Sequence, residues 1–213
     1  TADFYFTPKI KERGGKQTLT FTAAVSSSQF IVFEYQMNAD SYMIDFSVRS
    51  EGMVRLMNTR KQQNITWDLK AFRNSKSIEY ENRYHELTYS FEDDKIDYLS
   101  VSSSDEEEDN NVHWIAFKQH FFNSILIPAK SFESVWFTSE SLLDSDIVDQ
   151  QFTKKYHAEI PVNVSGEILQ NFQWYFGPTE YKTLAKYDLG IEESIDFGWG
   201  IFGWINKYVF VPT

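Results

Sequence analysis

Apolar and polar residues alternate with a period of two through the first three quarters of the sequence, and this constrains the fold more than any other feature. Successive side chains of an extended chain point to opposite faces, so the pattern gives each strand one face for a core and one for water. Leu19, Phe21, Ala23 and Val25 alternate with Thr18, Thr20, Thr22 and Ala24. Tyr42, Ile44, Phe46 and Val48 alternate with Met43, Asp45, Ser47 and Arg49. The pattern returns at Ile65, Trp67 and Leu69, at Tyr156, Ala158, Ile160 and Val162, and at Phe172, Trp174 and Phe176. Arg13-Gly14-Gly15-Lys16, the stretch 36–41 and Ser50-Glu51-Gly52 have the composition of hairpin turns, where Gly or Asn takes a positive φ at low cost. The chain is therefore expected to be mainly β, with a large antiparallel sheet system.

A length of 213 residues supports one sizeable core, so one domain is the default. Hydrophobic residues make up 42% and aromatics 17%, enough apolar surface to offset chain entropy and exclude global disorder. The absence of Cys removes disulfides, thiolate metal sites and cysteine nucleophiles, and leaves the compartment open. A formal charge of -11 disfavours nucleic acid, whose phosphates are bound by Lys and Arg. No stretch approaches the roughly 20 apolar residues that span a bilayer. Starting at Thr1 without a leader pattern, the sequence reads as an excised piece of a longer chain.

The acidity is local. Between Glu92 and Asp109 nine carboxylates stand against Lys95, a net of -8, which leaves -3 for the rest. Like charges this dense repel, so 102–111, with Asp105 to Asp109 at its centre, reads as a solvated loop. One helix is expected, over 178–188. Pro178 suits a first turn, Glu180 the positive end of the dipole and Gly190 a stop, while Tyr181, Leu184, Ala185 and Leu189 share a face.

The residues carry little chemistry. His85, His113, His120 and His157 are scattered with no zinc-site spacing, and nucleophile-elbow, Walker and dinucleotide glycine patterns are missing. Acid pairs such as Glu92-Asp93-Asp94 or Glu192-Glu193 could serve a glycosidase only if burial raised one pKa across a cleft. No catalytic, cofactor-binding or metal-ligating residue is assigned, and no cofactor is implied. The last fifteen residues, 199–213, hold one charge among Trp199, Phe202, Trp204, Ile205, Tyr208 and Phe210. Such a segment suits a membrane interface or the domain's own core.

Several words, in order, carry a family resemblance. They are Trp114-Ile115-Ala116-Phe117-Lys118-Gln119-His120-Phe121-Phe122, Ile127-Pro128, Tyr175-Phe176-Gly177-Pro178 with Tyr181 and Leu184, Asp196-Phe197-Gly198-Trp199, and Phe202-Gly203-Trp204-Ile205. Together they resemble the large periplasmic domain of the YidC family of bacterial membrane-protein insertases, over about residues 112 to 213. Before that stretch only Asp3-Phe4-Tyr5-Phe6-Thr7-Pro8 is closely similar. The resemblance implies an antiparallel β-supersandwich, similar to galactose mutarotase, over 1–198, and leaves open whether further sandwich strands precede Thr1. It makes 199–213 a membrane-proximal segment leading toward a transmembrane helix. The insertion groove of such proteins lies in their membrane core, so the implied role here is scaffolding at the periplasmic face of the inner membrane. Its implied partners are SecDF and SecYEG components of the Sec translocon, nascent membrane proteins and the membrane surface. The alternative is a sandwich that binds carbohydrate or another extended ligand; the core-like alternation of the aromatics disfavours a small-ligand site.

Overall fold

The computed structural model describes residues 5–56, 62–144, 150–162 and 166–196. Among the described residues there are twelve strands: β1 Thr7–Arg13, β2 Lys16–Ser26, β3 Gln29–Asn38, β4 Met43–Glu51, β5 Gln63–Phe72, β6 Glu86–Phe91, β7 Lys95–Tyr98, β8 Asp105–Lys118, β9 Phe122–Pro128, β10 Phe132–Ser141, β11 Phe152–Val162 and β12 Leu169–Pro178. The helices are short: α1 Ile78–Asn82, α2 Tyr181–Ala185 and a 3-10 turn at Ile191–Ser194. Every pairing is antiparallel, in the order β1-β2-β3-β4-β12-β9-β8-β10-β11-β5, with β6 on β8 and β7 on β6. At the β1–β2 hairpin Gly14 and Gly15 take φ of 60° and 79°, which the twist of a tight hairpin requires.

Strand β8 turns this path into a sandwich. Its C-terminal half pairs with β9 and β6, and its N-terminal half, Asp105 to Val112, pairs with β10. The chain leaves β9 at Pro128 and re-enters beside the other half of β8 as β10, so β10, β11 and β5 fold over the first layer. The inner faces share one core that includes Trp67, Phe117, Leu126, Phe137, Tyr156 and Phe172. Trp67 of β5 stacks on Phe117 of β8 at 3.8 Å and meets Trp174 of β12 edge-on at 5.4 Å. On the outer side of the first layer a second core, Met43, Trp114, Ile125 and Tyr175 among it, is covered by Leu184 of α2 and Ile191. An antiparallel β-sandwich is therefore the fold, as the alternation requires.

Two local expectations are corrected. The acidic run Asp105 to Asp109 is the first third of β8 and not a loop. Its partners on β10, Val135 to Ser139, are all uncharged, with Glu107 opposite Phe137 and Asp109 opposite Val135. Glu107 and Asp109 share a face, and the buried Tyr89 hydroxyl on β6 lies 2.7 Å from the Glu107 carboxylate and 2.5 Å from that of Asp109. One phenolic proton is thus shared between two carboxylates, which relieves the repulsion that would otherwise open the strand. Burial, followed by these acids, holds the Tyr89 phenol well above its ordinary range.

The helix expected over 178–188 is only Tyr181–Ala185. Pro178 still belongs to β12, paired with Phe122 of β9, and Glu180 is the extended N-cap residue. Asp188, at φ 54°, lies past the helix end, so Leu189 is 37% exposed and not part of the apolar face. Gly190, in the left-handed region at φ 69°, leads into the 3-10 turn.

Candidate functional site at the β8–β9 turn

The β8–β9 pairing reaches Lys118 and Asn123, and residues 119–122, the last of them the first residue of β9, form a turn closed by the Gln119 N–H on the Phe122 carbonyl at 2.9 Å. The Gln119 carboxamide oxygen accepts from the Phe72 N–H at 3.1 Å, tying the turn to the end of β5. On the other side Thr179 donates its N–H to the Phe121 carbonyl at 2.9 Å and its hydroxyl to the Gln119 carbonyl at 3.3 Å, fixing the start of α2. His120 stacks between rings, 4.2 Å from Tyr84 and 4.0 Å from Phe121.

The family words meet here for the most part. Gln119, His120 and Phe121 form the turn, Gly177 and Pro178 pair with its exit, and Tyr181 opens α2. Tyr175 lies one layer down, its hydroxyl donating to the Pro178 carbonyl at 2.7 Å. A Cβ on Gly177 would stand 2.6 Å from the Tyr175 ring and 2.8 Å from that of Tyr42, so only Gly fits between them. Trp114 fills the second core beneath α2. Phe117 belongs instead to the main core, and Pro128 lies at the far end of β9 opposite Phe172. The membrane-proximal residues Trp199, Phe202, Trp204, Ile205, Tyr208 and Phe210 lie outside the described residues.

Two buried polar networks support the turn. In one, the Lys118 ammonium donates to Glu86 at 2.7 Å and to the Ser194 carbonyl at 3.2 Å, while the Asn123 carboxamide donates to the Ser194 hydroxyl at 3.0 Å. These bonds lock the 3-10 turn against the base of the β8–β9 hairpin. In the other, Glu81 and His85 are both fully buried. The Glu81 carboxylate accepts from the Ser75 N–H at 3.1 Å and lies 3.4 Å from His120 Nδ1. His85 hydrogen-bonds Thr153 through Nδ1, and its Nε2 lies 3.4 Å from Glu81 Oε1, where neither atom makes a hydrogen bond. Burial pushes the His85 imidazole down to about 4 against the opposing pull of Glu81. Burial works against Glu81 ionising, yet Ser75, His120 and His85 together hold its carboxyl below the ordinary range. Nearby, burial lowers the Lys154 ammonium to about 8 as it donates to the Ser100 carbonyl at 2.9 Å.

Sequence reasoning missed Glu81, His85, Thr153 and Ser194. Glu81 and His85 stand four apart, a spacing that helical neighbours use, but Thr153 and Ser194 come from distant elements and leave no local mark. These charges are enclosed by protein partners and serve structure. The acid pairs offer no better site. A cavity of about 380 Å³ is lined by Asp94, His113, Trp114 and Glu193, among others, but the Asp94 side chain is 89% exposed and lies 3.0 Å from His113 Nδ1, without the enclosure a general acid needs. Among the described residues no cluster of three or more His, Asp or Glu could hold a metal ion.

Fold and site thus define a β-sandwich in which most of the family words come together at one end of the molecule. The chain matches the family described as the YidC periplasmic domain over residues 1–212, and it belongs to that family. It is similar to proteins named membrane protein insertase YidC from Bacteroides fragilis, 33% identical over 98% of this chain, and from Parabacteroides distasonis, 28% identical over all of it. It spans 34% of the length of each of these two relatives. Among solved structures it is similar to the heparan sulfate lyase HepC of Pedobacter heparinus, with a TM-score of 0.41 and 11% identity over 80% of this chain and 21% of that one. The galactosidase domain of an α-galactosidase-sucrose kinase, AgaSK, gives a TM-score of 0.42 and 8% identity over 80% of this chain and 25% of that one.

Proposed function

We propose that this chain is the periplasmic module of a membrane-protein insertase, acting at the periplasmic face of the bacterial inner membrane as a scaffold for insertion and folding of inner-membrane proteins. Family membership over 1–212 carries this reading. The structure is compatible with it: the family words build a rigid end, pinned by Gln119, Thr179 and Lys118, and the chain leaves that end at Ser194 and Asp196. SecDF and SecYEG components and nascent membrane proteins are the partners this role calls for, with 199–213 as the membrane-proximal segment. Relatives named as insertases favour it over carbohydrate binding.

Site-specific photocrosslinking in the full-length protein tests it, with the probe placed in turn at Glu107 on the acidic strand and at Tyr181 on α2. Adducts with a Sec component or a nascent membrane protein from Tyr181 are expected. If neither position yields such an adduct in cells that are actively inserting membrane proteins, the contact-surface role is wrong.

A further inference from the structure

The same end of the sandwich carries a surface that the polar networks do not use. Tyr80 and Tyr84 of the α1 region, Phe72 at the end of β5, and Phe121 and Phe122 of the turn are each 41–57% exposed. They are contiguous. Tyr80 and Tyr84 meet at 5.1 Å and share a hydroxyl hydrogen bond of 3.1 Å, His120 bridges Tyr84 to Phe121, and the Gln119 bond holds Phe72 against the turn. Rings so held expose apolar faces at little further entropic cost.

Charge singles out the kind of partner. Residues 70–84 carry Lys70, Arg73, Lys76 and Arg83 against Glu79 and the buried Glu81, a basic rim on a chain of net charge -11. None of the described ion pairs involves these four basic residues. Tyrosines with an apolar body and a polar tip, on a stretch of chain with Lys and Arg in excess, match the chemistry of an anionic headgroup region. The path of the chain agrees. Ser194 is bonded to Lys118 and Asn123 at the base of this turn, and the sequence beyond Asp196 is the nearly uncharged aromatic stretch.

We infer that the Tyr80–Tyr84–Phe121 end of the sandwich is a lipid-contact surface that seats the domain on an anionic bilayer. This rests on the insertase reading, and it adds which face of the domain meets the membrane. Anionic surface charge would draw in the basic rim and the rings would settle among the headgroups.

Sedimentation of the 213-residue chain with vesicles of phosphatidylcholine alone or mixed with phosphatidylglycerol tests this. Binding to the anionic vesicles, weakened roughly tenfold or more in Lys76→Gln/Arg83→Gln and by a similar factor in Tyr84→Ser/Phe121→Ser, is the expected result. Circular dichroism confirms that each variant is folded, and the charge pair stands alone as a test if the aromatic pair is not. Wild-type binding in both platform variants, with loss only in Trp199→Ser/Trp204→Ser, overturns the surface while leaving the insertase reading intact. Failure of the wild-type chain to bind anionic vesicles overturns it as well. So does an effect of the platform variants on self-association in sedimentation velocity without one on vesicles, which would make the patch an interface between copies. Crosslinking to the Sec components is independent of all these outcomes.

Discussion

His85 is a buried imidazole whose folded pKa, about 4, lies below the ordinary 6.5. Between those values the unfolded chain binds the proton and the folded one does not, so the His85 contribution to stability falls as pH drops from about 6.5 toward 4 and is level above that window. The full effect is about 3 kcal/mol. Glu81 adds a loss of the same sign only near and below its ordinary 4.5, because its depressed folded pKa gives stability that disappears as the carboxyl protonates. Urea unfolding from pH 6.5 to 4.5 therefore isolates the histidine: the slope should flatten in His85→Gln, and an unchanged slope would place the acid sensitivity elsewhere. Gly177 gives a steric counterpart. Its missing Cβ leaves room for the rings of Tyr175 and Tyr42, so Gly177→Ala should cost about 1–3 kcal/mol in the same assay. A cost under a few tenths would mean that the rings move aside freely.

Strand β8 shows at the element scale what alternation can and cannot reveal. Strands β2, β4, β5, β11 and β12 were legible because one face of each is apolar and that pattern is local. The acidic third of β8 was not, because its stability comes from the uncharged residues Val135 to Ser139 that face it on β10 and from the Tyr89 hydroxyl, 18 and 20 residues away in sequence from the acids it joins. Composition sees the repulsion of five successive acids but not the proton shared between two of them. Likewise Pro178 and Gly190 are helix punctuation in isolation, and the pairing of β12 with β9 claims Pro178 first. Tyr89→Phe removes the shared proton while keeping the ring stacked 4.3 Å from Phe137. The variant should lose about 2 kcal/mol, and part of the loss should return in about 1 M salt as the carboxylates are screened. A loss that is insensitive to salt would show that the hydroxyl does not act through Glu107 and Asp109.

For the whole molecule, the two layers are unequal in breadth, and that sets where it opens. The central strands β9 and β12 have a neighbour on each side and a core on each face. Among the described residues strand β1 pairs only with β2, and each of its residues is exposed. Between these extremes an aromatic ladder runs outward from the core. Phe172 stacks on Phe46 at 5.6 Å, Phe46 on Tyr35 at 4.6 Å, and Tyr35 meets Phe21 at 6.2 Å, but Tyr35 and Phe21 are only half buried. Phe46 is half buried as well, whereas Phe172 is buried and β1 beyond the ladder is wholly exposed, so the edge should open locally without the centre. Native-state hydrogen exchange read by mass spectrometry should show the amides of β1 exchanging at least about a thousandfold faster than those of Ile125, Leu126 and Tyr175, which open only with global unfolding. Protection in β1 equal to that in β9 would mean the ladder transmits the stability of the core to the edge, and the sandwich would then unfold as a single unit from β1 to β12.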